Sequence, residues 1–222
     1  MRLLRQRRVS AMSGGAAGAF NPTDIAGLQI FYDPRQMVGF NDGDAVATLA
    51  DLSGNSRDAT QATASRRPLY KTNIYGSDPA LLFDGVDDQM SLTNYQPGNS
   101  YTMVAVLSGT GIYPVGGAAN YWFYGTPVLT FFSHLGYYQI VVGALTSKSV
   151  IVLRSDAGTL TLRINGVNQT LGSLNAFAQT PSIDGIGRVN SSAYHNGHLG
   201  AVLLWNTALL DGQIVQVEDY LQ

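Results

Sequence analysis

Short runs of apolar or alternating apolar and polar residues, broken at intervals of about 8–12 residues by turn formers, fill most of this chain. Leu28-Gln29-Ile30-Phe31-Tyr32 predicts a strand, stopped by Asp33-Pro34 because proline cannot donate to a ladder. The polar stretch from Arg35 to Ser77 reads as ordered loop with short strands wrapping a sandwich edge. Its Asn41-Asp42-Gly43-Asp44 and Ser53-Gly54-Asn55-Ser56 are turn formers whose side chains bond nearby backbone. Leu81-Leu82-Phe83 and Met90-Ser91-Leu92 read as two short strands around a tight acidic turn, Asp84-Gly85-Val86-Asp87-Asp88. Tyr101 to Leu107, Tyr121 to Tyr124, Val128 to Phe132 and Tyr137 to Val142 continue the series of strands.

The clearest local signal is a hairpin of Thr159 to Ile164 and Val167 to Leu171, joined by Asn165-Gly166, a pair suited to the positive φ of a type I′ turn. Lys148 to Arg154 is expected to pair beside it, and Gly197 to Asn206 to form the last long strand. Ile214, Val217 and Leu221 then recur at helical spacing, which predicts a short amphipathic helix over Gln213 to Leu221. The predicted fold class is all-β, a two-sheet antiparallel jelly-roll sandwich with a short C-terminal helix and an extended N-terminal arm.

Residues 1–24 stand apart as an extended basic, Gly/Ala-rich arm: Arg2, Arg5, Arg7 and Arg8 come first, then small residues from Ser10 to Ala19. Such a stretch cannot build a core, and it lacks the apolar run of about 7–15 residues that a secretion signal needs. It is expected to anchor on a partner surface, with Phe20 at its end and the arginines entering an acidic groove; the alternatives are nucleic-acid phosphates as the arginines' target, or an arm folded back on its own domain. Residues 25–222 form one domain, a size that a single β-sandwich accommodates.

With 45% hydrophobic and 13% charged residues, apolar material is ample, and a partner is expected to cover part of the surface. The net charge of −2 gives no field toward nucleic acid, and no apolar run is long enough to cross a membrane as a helix. The chain has no cysteine, which excludes disulfides, thiolate metal sites and a Cys nucleophile.

Phe31-Tyr32-Asp33, then Asp42-Gly43-Asp44-Ala45-Val46 and Asp51-Leu52-Ser53-Gly54-Asn55-Ser56-Arg57-Asp58-Ala59, resemble the opening of concanavalin A-like (laminin-G-like) jelly-roll modules. Phe83-Asp84-Gly85-Val86-Asp87-Asp88 is similar to the next strand and turn of that family, and Gly200 to Trp205, Asn206 and Ala208-Leu209 to its closing strand. The resemblance covers residues 25–222 and implies display or adhesion, because such modules are similar to pieces of phage and bacterial surface proteins.

The function expected on this basis is non-enzymatic: a structural display protein of a phage virion (capsid decoration, head-fibre or tail-associated). It would be oligomeric and anchored by its arm to capsid or tail proteins at the virion surface. The alternative is a carbohydrate-binding adhesion module at a bacterial cell surface or in the extracellular space, holding a surface glycan.

Candidate chemistry is sparse. Retaining glycosidases need an acid and a nucleophile about 5 Å apart, and Glu218, in the terminal helix, is the only glutamate. Asp87 and Asp88, as adjacent strand residues, would point to opposite faces. No catalytic residue is assigned. Asp84, Asp87 and Asp88 are weak Ca²⁺ candidates, the alternative being turn chemistry beside Gly85. His195 and His198, with His134 elsewhere, lack a third ligand and read as surface or loop histidines. Tyr121, Trp122, Tyr124, Tyr137 and Tyr138 form an aromatic cluster open to three readings: core, assembly contact or glycan contact.

Overall fold

The structure, a computed structural model, describes residues 19–222 apart from 112–114, 117–120, 125–127, 134–135, 142–144, 174, 177–181 and 190–192. For 121–124, 128–133, 136 and 175–176 it describes the backbone alone.

In chain order the first strands are β1 (Leu28–Tyr32), β2 (Thr48–Leu49), β3 (Ala59–Thr60), β4 (Leu69–Tyr75), β5 (Asp78–Asp84), β6 (Met90–Tyr95) and β7 (Tyr101–Gly111). Next come β8 (Val115–Gly116), β9 (Tyr121–Tyr124), β10 (Val128–Ser133), β11 (Gly136–Val141), β12 (Ser149–Asp156), β13 (Thr159–Ile164) and β14 (Val167–Gln169). Then β15 (Asn175–Ala176), β16 (Ile183–Ile186), β17 (Arg188–Val189), β18 (Ala193–Tyr194) and β19 (Asn196–Trp205) lead to helix α1 (Asp211–Leu221).

These strands make two main antiparallel sheets. One, of eight strands, runs β14-β13-β12-β7-β19-β5-β4, with β1 beside β19. The other, of nine, runs β15-β11-β10-β9-β8-β16-β6-β3-β2. The predicted sandwich and closing helix are both present. At the hairpin, Asn165 and Gly166 take φ values of 50° and 77°, and β12 pairs with β13 along its length.

Two apolar layers hold the domain. Between the sheets, Ile30, Phe83, Met103, Leu153 and Leu204 meet Met90, Val115, Ile183 and Ile186, all buried. Outside the eight-stranded sheet, Val104, Val106, Val152, Leu203 and Trp205 pack under Ile214, Val217 and Leu221 of α1. Burial on both faces explains why Leu199 to Trp205 is unbroken by polar residues, whereas β6 alternates buried Met90 and Leu92 with exposed Ser91 and Thr93. Each fully buried Leu, Ile or Val contributes roughly 1.5–3 kcal/mol, so the outer layer fixes α1 firmly.

Arginines tie the helix down. Arg163 of β13 reaches the buried Glu218 at 2.7 Å, and Arg154 of β12 reaches Asp211 at 2.7 Å and the carbonyl of Leu209 at 3.0 Å. Arg35 donates to the carbonyl of Tyr220 at 3.0 Å, satisfying a helix C-terminal acceptor, while its own charge is paired with Asp33. Thr102 of β7 accepts the amide of Leu209, which sets the approach of the chain to the helix.

The segment from Arg35 to Ser77 holds short strands, as expected, and one longer one, the seven-residue edge strand Leu69–Tyr75. Its signal is masked by polar Lys71, Thr72 and Asn73 and by an irregularity between Lys71 and Tyr75, where Asn73 takes a φ of 55°. The acidic turn at Asp84 lies between two strands as expected, and it carries the chain from one sheet to the other.

Removing the carboxylate of Glu218 leaves Arg163 charged and unpaired beneath the helix. Glu218→Ala is therefore expected to lower stability by about 3–5 kcal/mol in urea unfolding. A loss below about 1 kcal/mol would show that the apolar face alone holds α1.

Candidate functional site

The Asp51-to-Ala59 motif is structural. Asp51 accepts the amides of Phe31, Ser53 and Arg57 at 2.9–3.0 Å, and Asn55 donates to the carbonyl of Leu28 at 3.0 Å, stapling this loop to β1. The hydroxyl of the buried Tyr32 donates to the carbonyl of Arg57.

The acidic turn is organised likewise. One oxygen of Asp84 accepts the amides of Val86, Asp87 and Asp88 at 2.8–3.3 Å, and Asp88 accepts that of Asp84 at 3.0 Å. Asp87 pairs with Arg66 at 3.4 Å. The three carboxylates converge, with ligand oxygens within 4.8 Å of one another, because Asp87 and Asp88 lie in a turn. The strand alternation expected to separate these two therefore does not apply. Burial, and then the charge of Asp84, push the carboxyl of Asp88 up to about 6. The bonded oxygens of Asp84 and Asp88 are directed at backbone amides, which is turn chemistry, and that of Asp87 at Arg66.

His195 is not a surface histidine. It is fully buried, with Nδ1 3.0 Å from the carbonyl of Gly111 and its ring edge-on to Phe83, and burial pushes its pKa down to about 4. His198, three residues on, lies half-buried on the outside of the eight-stranded sheet, so the two do not share a metal site. His134 lies outside the described residues.

The aromatic cluster is divided by the pleat. Tyr138 and Ile140 pack against the core between the sheets, which puts Tyr137, Gln139 and Val141 on the opposite, outer face of the nine-stranded sheet. The register sets Phe131 opposite both Tyr138 and Phe123, and Thr130 opposite both Gln139 and Tyr124, so position 124 shares the outer face. Tyr121 sits at an irregularity between β8 and β9, and Trp122 follows it; the side chains of Tyr121, Trp122 and Tyr124 lie outside the described residues.

The anchoring arginines Arg2, Arg5, Arg7 and Arg8 also lie outside the described residues. Phe20 packs edge-on against Tyr220 of α1, centroids 6.2 Å apart.

The site that combines space with uncommitted polar groups was not singled out by the sequence. Beyond the C-terminal end of α1, the outer face of the eight-stranded sheet opens into a cavity of about 540 Å³. Asn73, Tyr75, Ser108, Thr146, Ser147, Lys148 and His198 line it. The irregularity in β4 builds one wall by turning Asn73 and Tyr75 over the sheet. The Tyr75 ring lies across Gly200, where a Cβ would stand 3.4 Å from its edge. Its hydroxyl donates to the carbonyl of His198 or the hydroxyl of Ser108, both at 3.1 Å, and burial raises its pKa to about 12.

Lys148 stands 5.8 Å from the centre of that ring, donating to Asp78 at 3.3 Å and to the carbonyl of Gln222 at 3.0 Å. Burial, and then the charge of Lys71, hold the His198 imidazole below its ordinary value. Among the described residues, the side chains of His198, Asn73, Thr146 and Ser147 have no protein hydrogen-bond partner.

A second cavity, of about 310 Å³ at the edge of β13, contrasts with it. There Arg163 is engaged by Glu218, Arg154 by Asp211, and the Thr161 hydroxyl accepts from Arg154. Its polar groups serve the fold. Among the described residues, no helix is long and apolar enough to cross a membrane.

No family model matches the chain, and no curated protein matches it in sequence. Among solved structures it is similar to the binding domain of Paraclostridial Mosquitocidal Protein 1, at 13% identity and a TM-score of 0.61, over 90% of this chain and 53% of that one. It is also similar to domain 4 of AbnA, a GH43 extracellular arabinanase from Geobacillus stearothermophilus in complex with arabinotriose. That match has 16% identity and a TM-score of 0.59, over 86% of this chain and 98% of that domain. Trypanosoma rangeli sialidase matches at 16% identity and 0.57, over 87% of this chain. The chain spans about a third of the sialidase and half of the mosquitocidal chain. At such identities the likeness shows a shared β-sandwich fold.

Two buried groups make opposite contributions to stability between pH 4 and 6. His195 binds its proton less readily folded than unfolded, so its contribution is complete above its ordinary value of 6.5 and is lost as pH falls toward about 4. Asp88 holds its proton more readily folded, so its contribution is complete below 3.8 and is lost as pH rises through about 6. The stability of Asp88→Asn relative to wild type should therefore increase as pH rises through that window, read from paired thermal melts. A difference independent of pH would refute the assignment.

Proposed function

We propose that this chain is a non-catalytic, glycan-binding β-sandwich module, and that the cavity beside Tyr75 and His198 is its contact site. One observation carries the reading. Four side chains able to donate and accept hydrogen bonds line an open cavity without protein partners. Folded proteins ordinarily pair or solvate such groups, and an open set of them around a sugar-sized space suits hydroxyl recognition. Lys148 and the Ser108 hydroxyl add two further polar groups to the wall, and the Tyr75 ring gives it an apolar edge.

The neighbours support this reading through their fold, and they include a binding domain and a domain in complex with arabinotriose. The display role expected at a virion surface rests on Arg2, Arg5, Arg7 and Arg8, on which the described residues have no bearing. A glycan-binding module serves adhesion at a cell surface or in the extracellular space.

The non-catalytic part rests on the carboxylates. Glu218, the only glutamate, is committed to Arg163, and Asp84 and Asp88 accept backbone amides. Among the described residues, no carboxylate lines the cavity. The pair of carboxylates that most glycoside hydrolases use is therefore missing from the described lining.

A single small site of this kind binds weakly, with Kd on the order of 0.1–1 mM, so repeated copies would be needed for firm attachment. Screening the full chain on a glycan array, followed by calorimetry with the retained sugars, tests the proposal. His198→Ala is expected to weaken binding about tenfold while leaving thermal stability unchanged, and Lys148→Ala to weaken binding similarly with a small loss of stability from its bonds to Asp78 and Gln222. Retention of no glycan, or binding by both variants as tight as that of the wild-type chain, would overturn it.

A further inference from the structure

We infer, resting on the glycan-binding reading, that the cavity selects a neutral sugar residue and discriminates against carboxylated ones such as uronates. The chain has two lysines in all: Lys148 lines the cavity, and Lys71, outside its lining, acts on His198 through its charge. Neither offers an unbalanced charge. Lys71 is paired with Asp42, and Lys148 with Asp78 at 3.3 Å.

The groups facing His198 are Lys71 and Tyr75 from β4, Ser108 from β7 and Lys148 from the segment before β12, with Asp42 and Asp78 behind the lysines. Tyr75 is un-ionised at neutral pH, its hydroxyl held by Ser108 and the His198 carbonyl. The imidazole is neutral as well, kept so by burial and by Lys71. The site is therefore charge-balanced, and its free groups are an imidazole, an amide and two hydroxyls, each able both to donate and to accept. Vicinal sugar hydroxyls have the same dual capacity and leave the balance undisturbed. A carboxylate adds one negative charge to a space whose nearby cations are already neutralised by Asp42 and Asp78.

The discriminating measurement is calorimetry on the full chain at pH 7.5 and low salt, comparing arabinotriose and cellotriose with trigalacturonate. A neutral trisaccharide is expected to bind at least about tenfold more tightly than the acidic one, and to weaken as pH falls and His198 gains its proton. Lysine acetylation read by mass spectrometry supplies a check without mutation. The bound neutral sugar should shield Lys148, while Lys71, paired with Asp42, serves as the internal reference. Binding of trigalacturonate equal to or tighter than that of the neutral sugars would overturn the selectivity and leave the glycan-binding reading standing. Binding of none of the three, together with an empty glycan array, would remove both.

Discussion

The packing of α1 across the outside of the eight-stranded sheet is the constraint on which the rest of the structure depends. It turns one face of that sheet into a second core, in which Val104, Val106, Val152, Leu203 and Trp205 are buried beneath Ile214, Val217 and Leu221. Glu218 enters this layer only because Arg163 meets it, and a buried carboxylate without that partner would be costly. Where the helix ends, the cover ends, and the sheet surface beyond it becomes the cavity. Lys148 joins the two regions by donating to the carbonyl of Gln222 while edging the open site.

The cavity owes its walls to departures from regular structure. A regular β4 would continue alongside β5, and its side chains would alternate between core and solvent. The irregularity after Lys71, accommodated by the left-handed conformation of Asn73, folds Tyr75 back over the sheet, and Gly200 leaves room for the ring. The hydroxyl of Tyr75 is then consumed by Ser108 and by the backbone of His198, which makes the wall rigid. Rigid surroundings with uncommitted groups lower the ordering cost of a weak ligand.

Much of the fold was legible in the sequence because its signals are local. Proline at 34 stops β1, Asn165-Gly166 closes the hairpin, and the spacing of Ile214, Val217 and Leu221 marks α1. The apolar runs of β7, β12 and β19 marked strands, while their burial on both faces became visible only with α1 in place. β4 escaped because a polar edge strand with an irregular centre has neither period, and the fate of the turn at Asp84 depends on strands far away in the chain. The burial of His195 escaped for the same reason, since its ring is held by the carbonyl of Gly111, 84 residues earlier. The cavity was illegible because it joins β4, β7, β19 and the residues before β12, and none of these carries a motif. Carboxylate usage pointed away from hydrolysis, and the aromatic run was open to core or contact readings, of which the pleat gives Tyr137 to the outside and Tyr138 to the core.

A crystal structure of the full chain soaked with a neutral oligosaccharide tests the central claim most directly. The account predicts a sugar ring between Asn73 and His198, with hydroxyls within hydrogen-bond distance of the imidazole and of Lys148. Sugar density on the outer face of the nine-stranded sheet, with the cavity holding solvent alone, would contradict it.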